Sequence, residues 1–152
     1  MNKTYFIIIL LIVATVFLFS ACSQQQTPPT FNEIELIFRN NYEDILIINN
    51  FLINSNDISI YNPTLKYAGY DDAVINDEEV QDAIDRLMSN QILKKAYRSG
   101  NTIVYILWDN PHDMGCGVAY SINNKREPDI AFMTELIPLN NDGWYYYGAT
   151  RS

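Results

Sequence analysis

Two side chains that could carry out chemistry together lie four residues apart. His112 is the only histidine of the 152-residue chain, and Cys116 is one of two cysteines. An enzyme that uses a thiolate needs a base beside the sulfur and another group that orients the base. Asp109 or Asp113 could supply that orienting group. The spacing therefore raises thiol-dependent catalysis as one hypothesis for this chain.

The residues around Cys116 favour a structural role instead. This cysteine lies between Gly115 and Gly117, at the entrance to an apolar stretch with the pattern of a strand. Free cysteine is among the most buried residue types, and glycines within a strand often mark a bulge or a close backbone approach. We therefore predict a packed, unreactive thiol and no catalytic residue, and keep the thiol-dependent enzyme as the weaker alternative.

A second group of side chains with binding potential is acidic. It comprises Asp71, Asp72, Asp77, Glu78, Glu79, Asp82 and Asp85. Calcium sites usually take their oxygen ligands from alternating positions of a loop around a glycine, a pattern that this segment lacks. With a single histidine, the chain also lacks the ligands of a typical zinc site. We predict no metal and no cofactor, and assign the acidic residues to the solvated start and outer face of a helix.

The domain closes with four consecutive aromatic residues, Trp144 to Tyr147. On a strand, Trp144 and Tyr146 share one face, while Tyr145 and Tyr147 share the other. One pair can enter the core beside the helices, and the other pair then faces solvent or is covered. Because tyrosine has an apolar ring and a polar hydroxyl, it is enriched at interfaces. The candidate interaction surface is the pair that faces outward, Tyr145 with Tyr147 or else Trp144 with Tyr146, and packing across the sheet is the favoured explanation of these residues.

The amino terminus is strongly apolar. Residues 6–19 are apolar apart from Thr15, and they follow a short start that carries Lys3. A helix of this length extends about 21 Å, short of the roughly 30 Å hydrocarbon core of a bilayer. The length is typical of the central part of a secretory signal. Ser20 and Ala21 then lead directly into Cys22.

This stretch resembles the signal of bacterial lipoproteins, which ends in two small residues and a cysteine. Phe19 stands where the family usually has leucine. The resemblance covers residues 1–22 and implies cleavage before Cys22, with a diacylglycerol thioether on that cysteine. It also implies an extracytoplasmic position on the cell membrane, or on the outer membrane if the cell has one. An uncleaved anchor helix is the alternative.

Composition limits the rest of the chain. The resemblance implies that residues 1–21 are the signal and that 22–29 hold the modified cysteine and a polar spacer, which extends at most about 23 Å. Residues 30–152 are then predicted to form a single domain. Without residues 1–21 the chain has 9 lysines and arginines against 18 aspartates and glutamates, a net charge of −9. This charge argues against nucleic acid as a partner and against direct adsorption to anionic lipid.

The periodicity predicts an α+β fold with two helices packed on one face of an antiparallel sheet of about five strands. Helices are predicted from Thr30 to Ile53, with a capping box formed by Thr30 and Glu33, and from Asn76 or Asp77 onward. A short strand is predicted between the helices, at residues 58–61. Further strands are predicted at 93–98, 102–108, 118–122, 130–139 and 144–147, in the order of a meander.

These observations predict a non-enzymatic binding module tethered to the membrane through lipid on Cys22, with a protein or small-ligand partner in the envelope. An inhibitor or immunity-type protein, which protects its host from an exported toxin or hydrolase, is the alternative because the chain is small and acidic. The thiol-dependent enzyme that would use Cys116 and His112 is the least favoured reading.

Overall fold

The computed structural model describes residues 27–55, 59–61, 75–110, 113–123, 127–128, 132–139 and 143–149. These ranges contain three helices and six strands, an α+β fold. In chain order they are α1 (Phe31–Asn40), α2 (Tyr42–Asn54), β1 (Ser59–Tyr61), α3 (Glu78–Ser89), β2 (Lys95–Ser99), β3 (Thr102–Asn110), β4 (Asp113–Ser121), β5 (Glu135–Pro138) and β6 (Trp144–Ala149).

Helix α1 begins at the predicted capping box. The backbone N–H of Glu33 donates to Thr30 Oγ1 at 3.4 Å, and the backbone N–H of Thr30 donates to Glu33 Oε2 at 2.8 Å. These bonds satisfy two donors that a helix start otherwise leaves without partners. The hydrogen bonds from Thr30 also lower the pKa of the Glu33 carboxyl.

The helix predicted from Thr30 to Ile53 is in fact two helices, which meet at Asn41. This residue has φ −121° and ψ 19°, outside the helical region, and its side-chain amide donates to the carbonyl of Ile37 at 2.8 Å. Buried apolar residues continue on both sides, from Phe38 in α1 to Ile45 in α2. Because the apolar spacing runs through the break, the sequence pattern predicted one helix.

All neighbouring strands of the sheet are antiparallel, in the order β1-β2-β3-β4-β6-β5. The prediction of an antiparallel sheet is confirmed, with six strands where about five were expected. The predicted meander is wrong in the step from β4 to β5, since β6 lies between these two strands. Proline lacks the N–H that a central strand needs, so Pro138 fits the edge position that β5 occupies.

The main core lies between the helices and one face of the sheet. Helix residues such as Ile34, Ile48 and Leu87 are buried there against strand residues such as Ile103 and Val118. A smaller cluster lies on the opposite face, where Val104, Ala119 and Tyr147 are buried together with Phe132 and Leu136. The three helices that the structure describes therefore pack on one face of the sheet, as predicted.

Helix α1 runs along β6, from the entry of the chain towards the break. The ring of Phe31, at the start of the helix, meets Tyr146 edge-on at 5.4 Å, and Phe38 lies 4.9 Å from Trp144. With ten residues, the helix extends about 15 Å. The α1–α2 break therefore lies at the end of α1 opposite to the point where the preceding chain enters. None of the helices in the described ranges is long and apolar enough to cross a membrane.

Candidate functional site

Cys116 lies inside β4, a strand that begins at Asp113 and therefore earlier than predicted. Its partner on β3 is Trp108, and the register shifts on both sides of this pair. Gly115 has φ +85°, and a Cβ atom at Gly117 would clash with the carbonyl oxygen of Tyr105. The two glycines thus permit a bulged strand that approaches β3 closely, as their positions in the sequence suggested.

The thiol of Cys116 faces the main core. Only 4% of the residue is exposed, and burial raises the pKa of the thiol to about 12. At neutral pH such a group is almost entirely protonated, whereas the thiolate is the nucleophile in thiol chemistry. The environment of Cys116 is therefore the opposite of that of an activated cysteine.

The structure describes only some of the other residues of the hypothetical catalytic group. His112 lies outside the described residues, and the side chain of Asp113 is not described. Asp109 is half-buried near the end of β3. The arrangement of base and orienting carboxylate around the thiol therefore stays a hypothesis. The buried environment of Cys116 is unsuited to thiol catalysis.

The aromatic side chains of β6 alternate between the two faces of the sheet, as expected for a strand. Trp144 and Tyr146 enter the main core, with 2% and 6% of each residue exposed. On the other face, Tyr145 is half-buried and Tyr147 is fully buried. Of the two tyrosines predicted to form an interaction surface, only Tyr145 reaches the surface in this structure.

Tyr147 is instead a structural residue. Its hydroxyl donates to the carbonyl oxygen of Tyr105 at 3.4 Å, and its ring lies 6.1 Å from that of Phe132 in an edge-on arrangement. Burial raises the pKa of Tyr147 well above its ordinary value. A buried, hydrogen-bonded phenol is accounted for by packing, because it presents no surface to a partner.

Trp144 organises an aromatic cluster in the main core. Its ring centroid lies 4.9 Å from those of Phe38 and Tyr120, and 5.7 Å from that of Tyr105. The hydroxyl of Tyr105 donates to Asn49 Oδ1 at 3.1 Å, so the one polar group that this ring brings into the core has a partner. The aromatic residues of the strand thus hold α1 and α2 to the sheet.

The acidic segment that the structure describes begins helix α3. Asp77 accepts hydrogen bonds from the backbone N–H groups of Glu79 and Val80, at 3.1 and 3.3 Å, and so caps the helix. Asp71 and Asp72 lie outside the described residues. Within the described ranges, no three histidine, cysteine, aspartate or glutamate side chains come together in a way that could hold a metal ion.

A polar cleft that the sequence did not predict lies at the α1–α2 break. Residues 39–44 and Arg86 of α3 line a space of about 720 Å³. Asp44 and Arg86 meet across the gap between α2 and α3, although they are 42 residues apart in the chain. Only the packing of α3 against α2 brings them together, so no local pattern could have revealed the cleft.

Two ion pairs hold the arginines of this cleft. Arg86 Nη2 lies 2.7 Å from Asp44 Oδ1, and Arg86 Nε lies 3.2 Å from both carboxylate oxygens of Asp44. This hydrogen bonding raises the pKa of Arg86 above its ordinary value. Arg39 Nη2 lies 2.7 Å from Glu35 Oε1, one turn earlier in α1. Both arginines of the cleft therefore pair with carboxylates, although more than half of each arginine side chain is exposed.

Cys22, the residue predicted to carry lipid, lies outside the described residues. The first described residues, Thr27 and Pro28, are exposed and precede the capping box of α1.

No family model, no curated protein and no solved structure matches this chain.

Proposed function

We propose that this chain is a lipid-anchored extracytoplasmic protein whose single domain is a binding module and not an enzyme. The observation that carries the anchor is the order of residues at the amino terminus. An apolar stretch too short to span a bilayer is followed by Ser20, Ala21 and Cys22. The lipid on Cys22 would tie the domain to the membrane surface.

The chain between Cys22 and the domain supports this arrangement. Residues 23–29 are polar or proline, and the first helix begins only after Thr30. A spacer of this length reaches at most about 23 Å when extended. The domain would therefore stay close to the membrane and meet other components of the envelope. One acyl chain holds a protein only marginally, whereas the two or more chains of a lipoprotein anchor would hold it stably.

The environment of Cys116 supports a binding role over catalysis. A thiol-dependent enzyme needs a thiolate, and burial keeps the thiol of Cys116 protonated, with a pKa of about 12. The carboxylate of Asp77, in the acidic segment, caps helix α3. These observations support a role for the surface of the domain over a role for a reactive group.

Metabolic labelling with an alkyne fatty acid tests the anchor. We expect wild-type protein to carry the label and Cys22→Ala to lose it. Cys116→Ala is the matched control, because it removes the other cysteine and should label like the wild type. Equal labelling of Cys22→Ala and wild type would overturn the proposal of a lipid anchor.

A further inference from the structure

Helix α1 differs from the other two helices in how it is held to the domain. We infer that α1 is a strap, which opens as a unit about Asn41 and uncovers Trp144 and Tyr146 on β6, while α2, α3 and the sheet stay folded. The structure shows the closed strap, in which Phe38 and Phe31 of α1 lie against these two aromatic side chains. Opening does not depend on lipid at Cys22.

The side-chain hydrogen bonds that the structure describes for α1 and its two ends stay within this segment. The capping box closes the first turn, Arg39 pairs with Glu35, and the side chain of Asn41 donates to the carbonyl of Ile37. Each of these bonds is kept when the helix moves away from the sheet as a unit. Opening therefore breaks none of them.

The other two helices are tied to their neighbours by polar groups. Arg86 of α3 pairs with Asp44 of α2 at 2.7 Å, and the carbonyl of Ile53 in α2 accepts a hydrogen bond from Arg98 Nη1 of β2 at 2.7 Å. A further bond, which is buried, joins the hydroxyl of a β3 tyrosine to an α2 asparagine. Movement of α2 or α3 would leave such groups without their partners, a cost that opening of α1 avoids.

The apolar hold on α1 is also smaller. Ile34 and Phe38 are the two buried residues of α1, whereas α2 and α3 each bury four. Phe31 and Ile37 are partly buried and add to the hold, while Leu36 on the outer face is 59% exposed. Because apolar stabilisation grows with the area removed from water, α1 is the helix that costs least to detach. Its buried side chains still keep the closed strap as the major state.

The surface beneath the strap keeps its support when α1 leaves. The ring of Trp144 lies 4.9 Å from that of Tyr120 on β4, 5.7 Å from that of Tyr105 on β3 and 6.4 Å from that of Tyr42 in α2. None of these three partners belongs to α1. Loss of Phe38 thus uncovers one side of Trp144 without removing its other aromatic contacts.

Joints at both ends allow α1 to move as one piece. Asn41 has φ −121° and ψ 19°, outside the helical region, and on the other side the exposed Pro28 precedes the capping box. Folded proteins commonly open in contiguous units of this kind. If the proposed lipid anchor is present, displacement of the anchor acts on α1 first, because α1 is the first helix after the spacer. This link to the membrane rests on the proposed function, and the opening itself does not.

Hydrogen exchange of the full-length protein, followed by mass spectrometry, tests the strap. An isolated helix of ten residues is only marginally stable in water, so an opened α1 exchanges its amides. We expect the amides of residues 35–40 to be protected, but at least about tenfold less than those of β3 in the middle of the sheet. Equal protection of α1 and β3, or an α1 without any protection, would overturn the inference.

Two buried isoleucines provide a matched pair of variants, Ile34 in α1 and Ile84 in α3, which are 1% and 4% exposed. We expect Ile84→Val to speed the exchange of β3 about fivefold and to leave that of α1 unchanged, because Ile84 stays buried when the strap opens. Ile34→Val should speed both about fivefold, because Ile34 leaves the core in the opened and in the unfolded chain alike.

Faster exchange of α1 in Ile84→Val would mean that α1 exchanges only when the whole domain unfolds, and the strap would be ruled out. Unchanged exchange of α1 in Ile34→Val would rule it out as well, since Ile34 would then not hold the closed state. Fatty-acid labelling of both variants should match that of the wild type. Failure of the strap and failure of the lipid anchor are therefore distinguishable.

Discussion

The hydroxyl of Tyr147 on β6 reaches across β4 and donates to the carbonyl oxygen of Tyr105 on β3, at 3.4 Å. The ring can cross because Gly117, the partner of Tyr147 on β4, has no side chain on that face. An aromatic residue that covers a glycine of the neighbouring strand compensates for the apolar contact that the glycine lacks. Tyr147, one of the two tyrosines of the candidate interaction surface, thus joins three strands of the sheet.

Removal of the Tyr147 hydroxyl should destabilise the fold. We expect Tyr147→Phe to lower the free energy of unfolding by on the order of 1 kcal/mol, because a buried carbonyl loses its donor. Tyr145→Phe, on the same face of the strand but half-buried, should change it much less. Urea denaturation of both variants provides the measurement. A larger loss in Tyr145→Phe than in Tyr147→Phe would contradict this account of the strand.

The close approach of β3 and β4 predicts a strong effect at Gly117. A Cβ atom there would meet the backbone of Tyr105 and Leu107, which cannot move aside as a flexible side chain could. We expect Gly117→Ala to lower the free energy of unfolding by more than about 2 kcal/mol. Gly100→Ala is the control, since its Cβ would meet no atom within 4 Å and only the positive φ of 58° is strained. Its cost should be about 1 kcal/mol. A smaller cost at Gly117 than at Gly100, measured by thermal unfolding, would rule out the close approach.

The buried thiol predicts both slow alkylation and a pH effect. Below the ordinary thiol pKa of 9.0, Cys116 is protonated in the folded and unfolded states, so it adds no pH dependence. Above pH 9.0 the unfolded thiol loses its proton while the folded thiol keeps it up to about pH 12, so rising pH favours unfolding. We expect the free energy of unfolding of the wild type to fall between pH 9 and 11 more steeply than that of Cys116→Ala.

Alkylation of Cys116 gives a second readout. In the native protein, iodoacetamide should modify it only as fast as the domain opens, and in urea it should react at once. Rapid modification of the folded domain below pH 7 would indicate a stabilised thiolate, and the enzymatic alternative would then regain its basis.

Local signals predicted the parts of the fold that local chemistry determines. The capping box of Thr30 and Glu33 could be read directly, since both partners lie within one turn. The break at Asn41 could not be predicted, because the buried residues Phe38 and Ile45 are seven residues apart, as on one face of a continuous helix. At the break, the single polar residue Asn41 leaves the helical conformation.

Long-range pairing accounts for what the sequence could not predict. The insertion of β6 beside β4 depends on contacts between strands distant in the chain, such as Val118 with Tyr146. The alternation of apolar and polar residues along each strand is the same in a meander and in the observed strand order. Periodicity therefore cannot distinguish the two topologies. The cleft has the same origin, since Asp44 and Arg86 meet only after α3 has packed on α2. The pattern that predicts lipid on Cys22 can be recognised in the sequence because its residues are contiguous. Lipidation of Cys22 stays a prediction.

The most direct test of the central claim is intact-mass analysis of the protein purified from the membranes of cells that express the full chain. We predict a mature chain that begins at Cys22, with additional mass equal to that of a diacylglycerol or triacyl modification. The same analysis of Cys22→Ala should give an unmodified chain that retains residues 1–21. A wild-type protein that begins at Met1, or that begins at Cys22 without added lipid, would contradict the lipid-anchored binding module.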